Sequence, residues 1–216
     1  FNYHMMSTQG PKVGKGDING DGLTDLVIPG PKGIATKVFL KTKDGKFVDG
    51  PMSPIFEKIK EAEHTKCHLF DADNDGDLDV YMLSGGVELT EYSEYLYDEV
   101  LLNDGKGVFT SAGQRLPSAN AKISSGAIAT ADIDNDGDQD IFVGERVKIG
   151  QYGASCSGFI LVNDGKGNFQ DATATKCSAL KDIGMITDAT FADLDKDGFS
   201  DLVVVGEFME VSILKN

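Results

Sequence analysis

Apolar residues along this chain gather in short runs, each closed off by aspartate and glycine. The clearest are Leu26-Val27-Ile28, Val80-Tyr81-Met82, Ile141-Phe142-Val143 and Leu202–Val205. They are rich in β-branched and aromatic residues and too short for amphipathic helices, so they predict buried strands. Each follows a polar loop, and before each loop lies another strand-like segment: Lys12–Gly16, Thr65–Phe70, Ala127–Ala131 and Asp188–Ala192. A third pattern follows. It reads VFLKTKDGKFVD from Val38, VLLNDGKGVFT from Val100 and ILVNDGKGNFQD from Ile160. Two apolar runs around an Asp-Gly turn predict a hairpin.

Each unit therefore reads strand, loop, strand, connector, strand, tight turn, strand. That is one four-stranded antiparallel sheet. The last unit stops after Val211-Ser212-Ile213-Leu214, so the expected strand count is four, four, four and three. The loops begin at Asp17, Asp71, Asp132 and Asp193, with spacings of 54, 61 and 61 residues. These periods fit one propeller blade per repeat. The chain reads as a single region over 1–216, with repeats over 10–63, 64–124, 125–185 and an incomplete 186–216. Such a sheet cannot bury both faces alone, and radial stacking solves that problem. The expected fold is all-β: a partial β-propeller of about four four-stranded blades. A β-sandwich is the alternative architecture.

The loops carry the chemistry. Numbered from the first aspartate, oxygen side chains stand at positions 1, 3, 5 and 9. They are Asp17, Asn19, Asp21 and Asp25; Asp71, Asp73, Asp75 and Asp79; Asp132, Asp134, Asp136 and Asp140; Asp193, Asp195, Asp197 and Asp201. Position 6 is always glycine, which permits a sharp turn at positive φ. Position 7 would add a backbone carbonyl, from Leu23, Asp77, Asp138 and Phe199. Calcium takes six to eight hard oxygen ligands in loose geometry, and this pattern predicts four Ca²⁺ sites. Position 12 lies in the following strand, so the EF-hand's bidentate Glu is missing and the position-9 Asp replaces it. Unmetallated Asx turns are the bland alternative. Packing three or four carboxylates without a cation, repeated four times, weighs against it.

Charge follows from the same loops. The formal net charge is −15. The four loops hold 17 aspartates, so the excess negative charge sits in them. No net basic excess is left to neutralise phosphates, which argues against nucleic acid as a partner. No apolar run is long enough to span a bilayer as a helix. No leader pattern is visible, and the abrupt start at Phe1 suggests a mature or excised piece.

The repeats resemble the FG-GAP or VCBS repeats of integrin α-subunit propellers and many secreted bacterial proteins. A closer likeness is to the propellers of cartilage-acidic-protein-like, UnbV-associated proteins common on Bacteroidetes surfaces. It rests on GPKVGKGDINGDGLTDLVIPG, LFDADNDGDLDVYMLSGG, NDGKGVF, GERVKIGQYG and GMITDATFADLDKDGFSDLVVVGEF. The resemblance implies that the aspartates named above bind calcium. It also implies export to the cell surface or outside, a propeller of about seven blades, and a binding or assembly role. With too few repeats for seven, further blades from the same or another chain are expected.

No nucleophile–base constellation is evident. Three histidines occur, His4, His64 and His68, the last two flanking Cys67. They read as satisfied strand and loop residues. The variable parts are two connectors between second and third strands. One runs from Ser84 to Asp98 and carries Glu88, Tyr92, Tyr95 and Tyr97. The other runs from Gly144 to Gly158 and carries Glu145, Arg146 and Tyr152. Aromatics with polar neighbours suit a protein or glycan partner, or they cover blade edges. Chain reversal puts these connectors on the face opposite the metal loops. Three functions compete: a non-catalytic extracellular binding propeller, a calcium-dependent enzyme such as a polysaccharide lyase or phospholipase, and a structural spacer. The first is the expectation. Pairing outward from the turn at Asp164–Gly167 sets Cys156 opposite Thr175, which predicts that Cys156 and Cys177 lie close enough to bridge.

Overall fold

The computed structural model describes residues 10–216. His4 and any ring-closing strand from the first nine residues lie outside them. The sheets have four, four, four and three strands, all antiparallel and in chain order, apart from the direction in which they are read. Blade 1 holds β1 (Gly14–Gly16), β2 (Asp25–Ile28), β3 (Lys37–Lys41) and β4 (Phe47–Asp49). Blade 2 holds β5 (His64–Phe70), β6 (Asp79–Ser84), β7 (Glu99–Asn103) and β8 (Phe109–Ser111). Blade 3 holds β9 (Ser124–Ala131), β10 (Asp140–Val147), β11 (Gly158–Asn163) and β12 (Phe169–Asp171). Blade 4 holds β13 (Met185–Ala192), β14 (Asp201–Glu207) and β15 (Ser212–Leu214).

The second strand of each inner blade shows why blades must stack. Every residue of β6 and of β10 is buried. Successive side chains point to opposite faces of a strand, so both faces must be covered. Val80 and Met82 pack toward blade 1, with Val27, Val38 and Phe56. Tyr81 and Leu83 pack the other way, with Ile128, Ile141 and Val143 of blade 3. Phe142 then turns to blade 4, against Ile186, Leu202 and Val204. The core is thus three layers between four blades. Among the described residues the end blades have one less covered face: β2 alternates between buried and half-buried, and β4 is exposed throughout. On blade 4, Phe208, Val211 and Ile213 are exposed.

Two short helices interrupt the expected all-strand pattern without changing the class. The first, α1 (Pro54–Ile59), links blades 1 and 2, starts on a proline and buries Phe56 and Ile59. The second, α2 (Thr173–Lys176), follows β12. It corrects the expected cysteine pair. Pairing of β11 with β12 extends only to Leu161–Asp171, with one further bond from Ala172 N to the Ile160 carbonyl. The chain then coils into α2 and does not continue opposite β11. Cys156, Cys177 and Cys67 are all free thiols. Cys156 packs with Val147 and Met185, whereas Cys177 belongs to the layer between blades 3 and 4.

Candidate metal centres

Each loop leaves the end of a first strand and returns as a second. Its backbone is bent by glycines in the left-handed region: Gly22, Gly76, Gly137 and Gly198 have φ of 82°, 92°, 99° and 92°. Position 4 is left-handed too, at Gly20, Asn74, Asn135 and Lys196. These two reversals fold the position-1 carboxylate over the loop. Asp17, Asp132 and Asp193 each accept from the N–H groups of positions 5 and 6, and Asp71 accepts from Gly76. Position 5 accepts the N–H of position 7, from Leu23, Asp77, Asp138 and Phe199.

The position-9 aspartates Asp25, Asp79, Asp140 and Asp201 are almost fully buried. One oxygen of each accepts the position-2 N–H, from Ile18, Ala72, Ile133 and Leu194. The other accepts a backbone N–H from the third strand or just beyond it: Lys41, Asn103, Asn163 and Asn216. The residue read from spacing as a ligand is therefore also a clamp between loop and hairpin. A carboxylate oxygen has two lone pairs, so the clamp leaves each free to take a cation as well. Burial pushes Asp79 up to about 6, against the Asn103 and Ala72 N–H groups, with the Asp73 and Asp75 carboxylates adding to the rise. Burial and neighbouring carboxylates raise Asp140 and Asp73 as well.

Carboxylate oxygens converge in three loops. Oxygens of Asp71, Asp73 and Asp79 lie within 4.8 Å of one another, as do those of Asp132, Asp134 and Asp136, and those of Asp193, Asp195 and Asp197. One oxygen each of Asp71, Asp73 and Asp134 is buried with no hydrogen-bond partner among the described residues. Orphaned anionic oxygens at the centre of a loop fit a hard cation. Loop 1 substitutes Asn19, whose amide leans on Asp21 at 3.3 Å. Loop 4 is the most exposed, and the Lys215 ammonium sits against Asp195 and 3.3 Å from Asp197. A cation there would have to displace it. Lys176 approaches Asp134 at 3.4 Å in loop 3.

The loops also join the blades, through residues that spacing alone did not mark. Asn103, Asn163 and Asn216 each donate a side-chain N–H to a position-2 carbonyl of the preceding blade's loop. The acceptors are Ile18, Ala72 and Ile133, at 2.8, 2.8 and 2.6 Å. The Asn before each Asp-Gly in the two NDGKG turns was the available signal. The turns share the metal face, as chain reversal requires: a Cβ on Gly105 would meet the Asp77 carboxylate, and one on Gly165 that of Asp138.

On the other face the residues expected in the connectors divide, and Glu145 and Arg146 fall inside β10, which runs on to Val147. Tyr92 is 78% exposed and Tyr95 45%. Tyr97 is buried, and its hydroxyl donates to the Ala119 carbonyl at 2.8 Å. Arg146 is buried and bonds Glu207 at 2.6 Å, and the Tyr152 hydroxyl meets the same carboxylate. Arg146 and Glu207 line a hollow of about 350 Å³ at the starts of the inner strands. His68 bonds Thr130 at 3.1 Å.

The family described as FG-GAP-like repeat matches residues 17–82, 71–143 and 152–204, each match spanning the loops just described. The chain belongs to the FG-GAP-like repeat family. Among curated proteins, none matches this FG-GAP-like chain. It superposes on an Agrocybe aegerita lectin, whose structure concerns specific recognition of non-reducing terminal N-acetylglucosamine. The TM-score is 0.56 at 19% identity, over 94% of this chain and 51% of the lectin. It also superposes on the Dos1 propeller, with a TM-score of 0.52 at 9% identity, over 95% of this chain and 47% of that one. At these identities the likeness establishes the fold. The FG-GAP-like chain spans about half the length of each. No helix among its described residues is long and apolar enough to cross a membrane.

Proposed function

We propose that this chain is a calcium-stabilised, non-catalytic propeller segment that recognises a protein or glycan partner outside the cell or at its surface. The observation that carries the calcium reading is the set of orphaned, buried oxygens of Asp71, Asp73 and Asp134. Leaving buried anionic oxygens unpaired is costly, and a divalent cation bound by several of them removes that cost. Calcium is favoured over magnesium because the loops offer many carboxylates and little fixed octahedral geometry. Asp71, Asp73, Asp75 and Asp79 would hold the ion in loop 2, and Asp132, Asp134, Asp136 and Asp140 in loop 3, with the position-7 carbonyls completing each shell. The ion would supply charge neutralisation and stiffness.

Recognition is assigned to the connector face. The metal-face loops are short and internally bonded, whereas the connectors are long and carry the exposed Tyr92 and Tyr95. Sugar recognition by the Agrocybe aegerita lectin is compatible with a glycan partner. The repeat sequences favour kinship with UnbV-associated surface propellers. The exposed Phe208, Val211 and Ile213 give blade 4 a face that further blades, from this or another chain, would cover.

The test is a glycan array and a crosslinking capture on calcium-loaded protein. Tyr92→Ala with Tyr95→Ala is compared with Asp44→Ala plus Asp104→Ala on the metal face. Binding should be lost with the tyrosine pair only. Loss with the aspartate pair alone would move recognition to the other face.

A further inference from the structure

Under the connector face of blade 2, two polar side chains are buried without hydrogen-bond partners among the described residues. His64 opens β5 and Ser84 closes β6, and they are cross-strand partners, so their side chains leave the same face of the sheet. His64 is 2% exposed and Ser84 0%. Neither ring nitrogen of His64, nor the Ser84 hydroxyl, finds a hydrogen-bond partner among the described residues. Buried polar groups are almost always paired, and one left unpaired carries its full desolvation cost. Both residues line a hollow of about 240 Å³ between α1 and the connector bearing Tyr95 and Tyr97.

The chemistry of the hollow selects a neutral ligand with hydroxyl groups. Burial pushes His64 down to about 4, so its imidazole is neutral at physiological pH and offers one donor and one acceptor. The Ser84 hydroxyl also does both. A pair of hydroxyls meets that pattern, whereas a phosphate or carboxylate brings mainly acceptors and an ammonium only donors. Tyr95 and Tyr97 add flat apolar rings to the walls, and Glu94, Glu99 and Arg115 add polar groups at the rim. Arg115 lies 5.2 Å from the Tyr97 ring centroid and pairs with Glu94 at 3.1 Å, which fixes that wall. At about 240 Å³ the hollow has room for one six-membered sugar ring with its hydroxyls. Among the described residues no three metal-ligating side chains gather here. His64 and Ser84 do not bond each other, so they form no nucleophile–base pair.

We propose that this hollow binds the terminal ring of a saccharide, with His64 and Ser84 bonding its hydroxyls and the tyrosines covering its apolar face. The proposal rests on reading the connector face as the recognition surface, and it gives that face a ligand class.

The experiment is saturation-transfer NMR on the calcium-loaded chain with the methyl glycosides of glucose, galactose, mannose and N-acetylglucosamine, then titration of those that respond. At least one should receive saturation, and His64→Leu and Ser84→Ala should each weaken it about tenfold or more. Tyr95→Ala, at an exposed site, should weaken it too, and it stands in if the His64 variant misfolds. No transfer from any of the four overturns the proposal. Binding that survives all three substitutions overturns it as well. If the sugars fail while a captured partner still depends on Tyr92, the pocket falls and the connector-face reading stands.

Discussion

The side-chain amide of Asn163 donates to the carbonyl of Ala72 at 2.8 Å, tying the end of β11 in blade 3 to the metal loop of blade 2. The same amide donates to the Gln139 carbonyl at 3.2 Å, and its own backbone N–H meets Asp140. One asparagine thus links two loops and a hairpin. Removing it leaves two carbonyls unpaired. Asn163→Ala should cost about 2–3 kcal/mol and lower Tm by roughly 5–10 °C. Lys41 holds the same register position in blade 1, opposite Phe47 as Asn163 is opposite Phe169. Lys41→Ala should change stability by no more than about 0.5 kcal/mol. Thermal melts of both variants check the contrast.

Lys196 is the odd residue at position 4. It sits at φ 65°, where the other loops place Gly20, Asn74 and Asn135. A lysine pays steric strain there that asparagine and glycine largely avoid. Lys196→Asn should stabilise the fold by about 0.5–1 kcal/mol, raising Tm by roughly 2 °C in calcium. A lower Tm would show that the lysine makes a compensating contact.

Asp98 should give stability a falling slope from mild acid up to about pH 8. Burial pushes it from 3.8 up to about 8, against bonds from Ser84, Ser125 and Tyr81. The folded chain then keeps a proton that the unfolded chain releases near pH 4. That contribution is complete below 3.8 and is lost as pH rises through 8, at about 1.4 kcal/mol per pH unit. Asp98→Asn keeps the shape without the proton. Between pH 6.5 and 8 its stability in saturating calcium should depend less on pH than that of the parent, as denaturant unfolding at several pH values will measure. Equal slopes would place the ionised form in the fold.

Much of this architecture was legible in the chain itself. The short runs around Val80 and Ile141, the Asp-Gly turns and the repeat period lead to the observed sheets, strand count and faces, because period-two burial and turn chemistry are local. Position-6 glycine and the convergence of Asp71 and Asp73 are local as well. What escaped was set by neighbours. Asn163 reads as part of a turn until blade 2 is placed beside it. The buried Asp79 reads as a ligand alone, because its backbone clamp on Asn103 spans separate elements. Tyr97 looked like its exposed neighbours, yet the Ala119 carbonyl and Arg115 hold it in. The Cys156–Cys177 pairing assumed a straight hairpin, and α2 ends it. His64 read as satisfied, and only the packed structure shows two idle nitrogens.

Loops 2 and 3 should bind calcium more tightly than loops 1 and 4. Loop 1 has Asn19 in place of a carboxylate, and loop 4 must first displace Lys215. Asp73→Asn and Asp134→Asn should each remove one high-affinity step from a calorimetric calcium titration. Asp195→Asn should alter only a weak one. If the Asp195 variant loses the tightest step, the order of the loops is reversed.

If a cation in these loops stiffens the fold as proposed, excess chelator must shift the melting curve. Binding to the folded state alone adds RT ln(1 + [L]/Kd) to stability, about 2.7 kcal/mol per site at a hundredfold excess over Kd. Tm should fall by roughly 5–10 °C or more in chelator and be restored by calcium, not by magnesium at the same concentration. A melting curve that chelator and calcium both leave unchanged would show that no cation stabilises these loops.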